Sequence, residues 1–563
     1  MRIAYTKNVE HRGKSGVSNC CVPVIVGLTS RFDTSEVIYE KLSKIEQLLA
    51  NHDSLLMALV DQVKDRELSS PLSYSSVGGR KNSYVESDTN ISGDDSDLAL
   101  IQTGNLPPLT IPTGHNTAAI RVLRLPQVKA LIGEYPRDYF YEIEARRKVF
   151  GLETVSDQPY LDQEVCDGLI EAFRTTAHAH RPILDYNNLL SLYKDMFANG
   201  FTWTIETAIV LLALALGEVA SADYSKISRL TDDPNWEMPG ISYFRPAFEI
   251  ISKSSALDFG VNILVVQAQV LASIYFAYIA YPLYSWRLIH AASTTIELLL
   301  SRTSNNEPPA DEEIRLFWCC FLTESDRLAE FELPRTGIGS MVDDMLLPSV
   351  LNEDAVIIYF LAEISIRRLL NRVHNTLYTD DGDAKAKSIQ TLLIISEELN
   401  RQLETWYDSI PSAVRPTLGM NAPENLNERE IILRVRYYAC RHIIFRPFVL
   451  RVIANPEVNY PVEVLENCAK CISSIRMYIH NVGYVLSRPS SYTWTLGMSS
   501  LGAVLVITAA SQSPVLQGYL PDILELQNTV LKNFLPWATP ESSIQSITWI
   551  LEHILHRQQF NFK

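Results

Sequence analysis

The side chains able to do chemistry are sparse in this chain and poorly grouped. Cys468-Ala-Lys-Cys471 has the spacing that lets two thiolates share a metal or form a redox pair. No second pair accompanies it and no nearby histidine completes a ligand set. It therefore reads as two small hydrophobes on a helix. His553 and His556 stand one helical turn apart, but no third ligand lies close in sequence, so they read as a solvated helix end. His178 and His180, either side of Ala179, are a weaker pair still. Gly337-Ile-Gly339 lacks the third glycine of a dinucleotide loop and reads as a turn. The sequence has no Gly-x-Ser-x-Gly elbow, no Gly-x-x-x-x-Gly-Lys loop and no His-Glu-x-x-His.

One enzymatic alternative needs weighing. An all-α terpene cyclase holds magnesium and a diphosphate between an aspartate-rich motif and an Asn/Ser/Glu motif. Fragments of both exist: Asp232-Asp233 with Glu237, Asp380-Asp381 with Asp383, and Asn188, Ser191 and Asp195. Pro234 and Gly382 put both aspartate pairs in loops, where such residues are ordinary turn chemistry. The second-motif look-alike also precedes both pairs, reversing the usual order. The sequence therefore predicts no enzyme and no catalytic residue.

What the chain does have is apolar helix. Of 563 residues, 47% are hydrophobic and 20% charged, enough to build a large core. The formal net charge is −16, and residues 1–66 carry nine Lys/Arg against eight Asp/Glu. Such a chain has no concentrated positive patch with which to hold a phosphate backbone. Eight cysteines in this length form no disulfide framework, and a reducing compartment follows. The apolar patch Cys20–Leu28 does not extend a basic start into a secretory signal. Phe259–Trp286 and Pro489–Pro521 carry no charge. The first contains Asn262, Gln267 and Gln269 and the second is broken by Pro514, so both are predicted as core helices rather than membrane spans.

The pattern divides the chain into four parts. Residues 1–34 show no period. Within 35–66, Ile38, Leu42, Ile45, Leu49, His52, Leu56, Leu59 and Val63 alternate spacings of four and three, which gives the seam of a short coiled coil or, alternatively, the apolar face of a helix folded onto its own domain. Residues 67–105 are rich in Ser, Gly, Asn and Asp and predict a disordered linker. Residues 106–563 predict an all-α body. Its helices are expected at 161–178, 205–222, 263–281, 286–300, 312–332, 355–378, 385–410, 428–453, 461–481, 495–510, 520–535 and 542–556.

Within that body a set of segments recurs in a known order. His115-Asn-Thr-Ala is followed by Val122-Leu-Arg-Leu-Pro126, Pro136-Arg-Asp-Tyr-Phe140 and His180-Arg-Pro-Ile-Leu184. Val266–Tyr275 then leads through Ser285–Ala292, and Arg315–Glu324 runs into Leu333–Ile338 and Leu346-Leu-Pro348. Together these resemble the fungal-specific transcription factor domain, the helical middle region of zinc-cluster regulators, over about 106–350 and more weakly at Tyr438–Val449. The resemblance implies a nuclear regulator of transcription serving one pathway, such as a metabolic or secondary-metabolite gene set. The seam would pair it with itself or with a zinc-cluster regulator. A small-molecule effector would sit between helices, with Trp286, His290, Trp318 and Glu324 as regulatory-pocket candidates.

Members of that family open with six cysteines, including CxxC pairs, that hold two zinc ions. Here only the adjacent Cys20 and Cys21 precede the seam. Zinc is thus expected only with a further N-terminal segment, and DNA contact only through that segment or a partner. The alternative is a cluster-less interaction or corepressor protein with no DNA contact of its own.

Overall fold

A computed structural model describes residues 110–112, 115, 119–149, 152, 157–223, 227, 237–259, 262–302, 308–349, 354–378, 387–420 and 427–561. The expected coiled coil with its Ile38–Val63 seam, the linker and the aspartate pairs at 232–233 and 380–381 all lie outside them. Among the described residues the architecture is all-α, with no strand.

Three short helices lead in: α1 (Ala119–Leu123), α2 (Pro126–Ile132) and α3 (Tyr139–Arg146). There follow α4 (Gln163–Thr175), α5 (Ala177–His180), α6 (Tyr186–Asn199), α7 (Ile205–Ser221), α8 (Ile241–Leu257), α9 (Ile263–Tyr278), α10 (Pro282–Arg302) and α11 (Asp311–Leu328). A 3-10 turn at Ile338–Met341 precedes α12 (Ala355–Leu377), α13 (Ile389–Ser409), α14 (Glu428–Ala454) and α15 (Val462–Val485). The chain closes with α16 (Thr493–Ser511), α17 (Ile523–Phe534) and α18 (Ser543–Asn561).

Local chemistry starts many of these helices. Asp162, Asp185, Thr204, Asn262, Asp354, Ser388 and Asn427 each accept a first-turn backbone N–H, satisfying donors the helix cannot. Two helices run through an apolar stretch on all sides, and both are buried accordingly. α7 packs on α4, α8 and α9, and α9 packs on α10. The polar residues of α9 find partners inside: Gln267 donates to the Ile183 carbonyl at 3.3 Å and Gln269 to the Ser255 hydroxyl at 2.9 Å. α16 is long and apolar enough to cross a bilayer, and 94% of its apolar window is buried within the fold.

The structure corrects several boundaries. The helix expected at 161–178 breaks at Thr176 into α4 and α5. The one expected to reach Glu332 ends at Leu328, releasing residues 329–336 as a tail. α6 and α8 went unpredicted. Pro246 inside α8 breaks the sequence signal, since proline removes one helix donor, but burial of Tyr243, Phe244, Ala247 and Ile250 holds the helix together.

Candidate functional site

The C-terminal half of α11 and its tail carry polar side chains into the interior in unbroken succession. Glu324, Ser325, Asp326 and Arg327 are all buried. An unpaired charge there would be prohibitive, so the surrounding helices must answer each one. Asp326 takes Arg436 of α14 on both oxygens, at 2.6 and 2.8 Å, and Arg367 of α12 at 3.0 Å. Arg367 also grips Asn371, and Asn371 donates to Ser325. Glu363, one turn before Arg367, pairs with Arg181 at 2.5 Å and accepts from the Tyr492 hydroxyl at 2.8 Å. The Tyr492 ring lies under both Arg181 and Arg436. Arg327 has hydroxyls and an aromatic face in place of a carboxylate: Thr495 at 2.7 Å, Ser285 at 3.2 Å and the Trp494 ring.

The charges hold one another in their ionised forms. Burial alone would protonate Asp326, but Arg436 and Arg367 outweigh it and keep that carboxyl well below the usual range. Burial opposes the charge on Arg436 too, and Asp326 more than restores it. Arg367 and Arg327 are drawn down by burial to about 10 and stay cationic at neutral pH. Three guanidiniums (Arg181, Arg367 and Arg436) thus share two carboxylates, Asp326 and Glu363, and with Arg327 on its hydroxyls they tie α11, α12, α14 and α16 to the segment after α5.

At one end of this hub a cleft of about 530 Å³, its mouth included, opens between the lead-in helices and the tail of α11. Its walls are Phe140, Tyr141 and Phe331, and its acidic groups are Asp138, Glu330 and Glu332. His115 at its base contacts the Leu328 carbonyl and sets its ring edge-on to His374, 5.3 Å away. Burial lowers His115 to about 4, so it is neutral, and raises Glu330 to about 8. Glu332 bridges Arg121 and Arg137 across the rim. A second, smaller cleft of about 220 Å³, its mouth included, is lined by Glu363 with His180, Tyr359 and Arg429.

The regulatory-pocket candidates fall on two helices around this hub. Trp286 and His290 tilt together on α10 with ring centroids 5.2 Å apart, both half-buried. Glu297, two turns further along α10, couples electrostatically to both His290 and Glu324. Glu324 itself accepts from the backbone N–H and the hydroxyl of Thr336, each at 2.7 Å. Trp318 sits apart from these, roughly 120° round α11 from Glu324. It is fully buried, donates to the Leu346 carbonyl at 2.7 Å, and lies under Arg368.

The hub was missed in the sequence, though a signal existed. Glu363, Arg367 and Asn371 recur every four residues among buried apolar positions of α12, a stripe that only buried partners make tolerable. The metal candidates fare differently. Cys468 and Cys471 are buried, and burial pushes both thiols up, Cys468 to about 12, against thiolate formation. His553 and His556 are exposed on α18. Among the described residues no group of three His, Cys, Asp or Glu is arranged to hold a metal ion.

No protein-family profile matches the chain. No solved structure matches it either. Over 182 residues the chain is 29% identical to a protein of Aspergillus rugulosus named "Putative transcription factor ecdB". The aligned part is 31% of this chain and 32% of that relative's length.

Proposed function

We propose that this chain is a nuclear regulator of transcription whose helical body controls one pathway's gene set, such as a metabolic or secondary-metabolite set. The observation that carries the reading is the partial likeness to a protein named as a transcription factor. The all-helical body, with its buried ionic hub and adjoining clefts, supports a role in association and ligand response. Pairing would run through the Ile38–Val63 seam, with the chain itself or a zinc-cluster regulator as partner. DNA would be reached through that partner or through a further segment carrying the zinc. The same likeness supports a non-enzymatic reading. So does the placement of Asn188, Ser191 and Asp195, which lie exposed on α6 rather than around an interior cavity.

Chromatin occupancy of the full chain, with and without residues 38–63, tests this reading. Enrichment at a limited set of promoters, lost on the deletion or on Leu49→Asp with Leu56→Asp, is the expected result. Occupancy indistinguishable from background for the intact chain would defeat it.

A second reading, an interaction or corepressor protein without DNA contact, is favoured by the net charge of −16 and the near-neutral first 66 residues. Salt-sensitive, sequence-selective capture of a duplex by the purified 563-residue chain would exclude it.

A further inference from the structure

We infer that the cleft between α1–α3 and the α11 tail is a binding site for a small organic amine, its ammonium group on Glu330 and its apolar body against Phe140, Tyr141 and Phe331. Three observations converge on this chemistry. Oε2 of Glu330 is buried without a hydrogen-bond partner, an acceptor the fold leaves unanswered. The walls are aromatic, and a cation beside ring faces gains from their quadrupoles. Asp138 adds a further carboxylate to the lining beside Glu330, while Glu332 is already paired with Arg121 and Arg137.

The groups facing Glu330 set how binding depends on pH. The backbone N–H of Ala119 donates to it from α1. Arg446 of α14 and Arg367 of α12 favour its charged form and Asp326 opposes it, while the Tyr478 phenol of α15 also faces it and is held neutral by burial. His115 and the adjoining His374 are both held neutral by burial and add no competing cation. Burial still dominates and raises the carboxyl to about 8. In the empty cleft at neutral pH Glu330 is therefore mostly protonated. When the ammonium enters, Glu330 gives its proton to solvent and the carboxylate pairs with the cation, so one proton is released per amine bound. Affinity should then rise about tenfold from pH 6 to pH 7 and level off above pH 8, following the ionised fraction.

The experiment is calorimetric titration of the full purified chain with phenethylamine, tyramine and agmatine, and with 3-phenylpropionate and 2-phenylethanol as anionic and neutral counterparts. The inference expects at least one amine to bind with proton release while the counterparts do not. Glu330→Gln, nearly isosteric with the protonated acid, should abolish amine binding without lowering the melting temperature. Tyr141→Ala, at a partly exposed wall position, should weaken binding by about two- to fivefold. Binding of the counterparts equal to the amines, an unchanged affinity in Glu330→Gln, or no heat from any amine at about 10 mM would each overturn it. The site deepens the regulatory reading and rests on it only for its consequence in the cell. Amine binding without promoter control would fail that reading alone, and promoter control without amine binding would fail this one alone.

Discussion

Asp326 stays ionised in an interior that would otherwise protonate it, because two guanidiniums hold both of its oxygens. Asp326→Asn would leave Arg367 and Arg436 buried with too little counter-charge and should cost about 3–5 kcal/mol in urea unfolding. A loss under about 1 kcal/mol would mean that water reaches the hub. The pH signs differ between residues. Asp326 is depressed in the folded state, so its contribution is present above about pH 4 and is lost as acid protonates it. Glu330 is raised to about 8, so its unfolded form ionises first and stability falls between about pH 4.5 and pH 8. His115 is lowered to about 4, so stability rises from about pH 4 to about pH 6.5 as the unfolded state's extra proton is lost. Glu330→Gln should accordingly stabilise the protein more at pH 8 than at pH 5. Equal melting shifts at the two pH values would contradict that ionisation.

At the scale of the element, α14 shows how a helix tolerates a proline. Pro447 cannot donate to Ile443, and the freed carbonyl takes the Tyr378 hydroxyl at 2.5 Å. Its neighbours are answered as well: the His442 carbonyl by the Cys471 thiol and the Ile444 carbonyl by the Ser396 hydroxyl, each at 3.4 Å. Cys471 of the CxxC thus has a structural use in the buried interface between α14 and α15. Tyr378→Phe strands a buried carbonyl and should lower stability by about 1–3 kcal/mol, read by thermal or chemical unfolding. The α4–α7 crossing depends on closeness instead. A Cβ on Gly217 would fall 2.0 Å from the Leu169 carbonyl oxygen, so the helix backbones meet there without a side chain between them. Gly217→Ala must push the helices apart and should cost about 1–3 kcal/mol despite alanine's better helix propensity. An unchanged or raised melting temperature would show that the crossing can slide.

Over the whole molecule, the lead-in helices bind the end of the chain. Glu144 of α3 is buried with Arg147, and its other oxygen accepts from the backbone N–H and hydroxyl of Ser543 at the start of α18. Arg147 in turn reaches the Ala280 carbonyl, the Thr539 hydroxyl and the Tyr281 ring. One acid–base pair therefore caps a helix 399 residues away and fixes the bend between α9 and α10. Glu144→Ala should destabilise the body by about 3–5 kcal/mol. Hydrogen exchange should rise together in α3 and α18. A change confined to α3 would show that the two ends are not coupled through this pair.

Much of the helical plan could be read from residue order, because helix signals are local. Three-to-four-residue apolar spacing, uncharged runs such as those giving α9 and α16, and caps such as Asn262 and Asn427 all lie within a few residues of what they control. Thiols in apolar runs were legible as buried for the same reason. The hub was not, because whether a charge is buried depends on what meets it. Arg367 finds Asp326 across 41 residues, Arg436 finds it across 110, and Glu363 finds Tyr492 across 129. The stripe on α12 announced that partners must exist; only the packed structure chose them. It also decided that the chain leaving α11 would turn Glu330 toward a cleft rather than extend the helix, since that depends on the lead-in segment folding back over it.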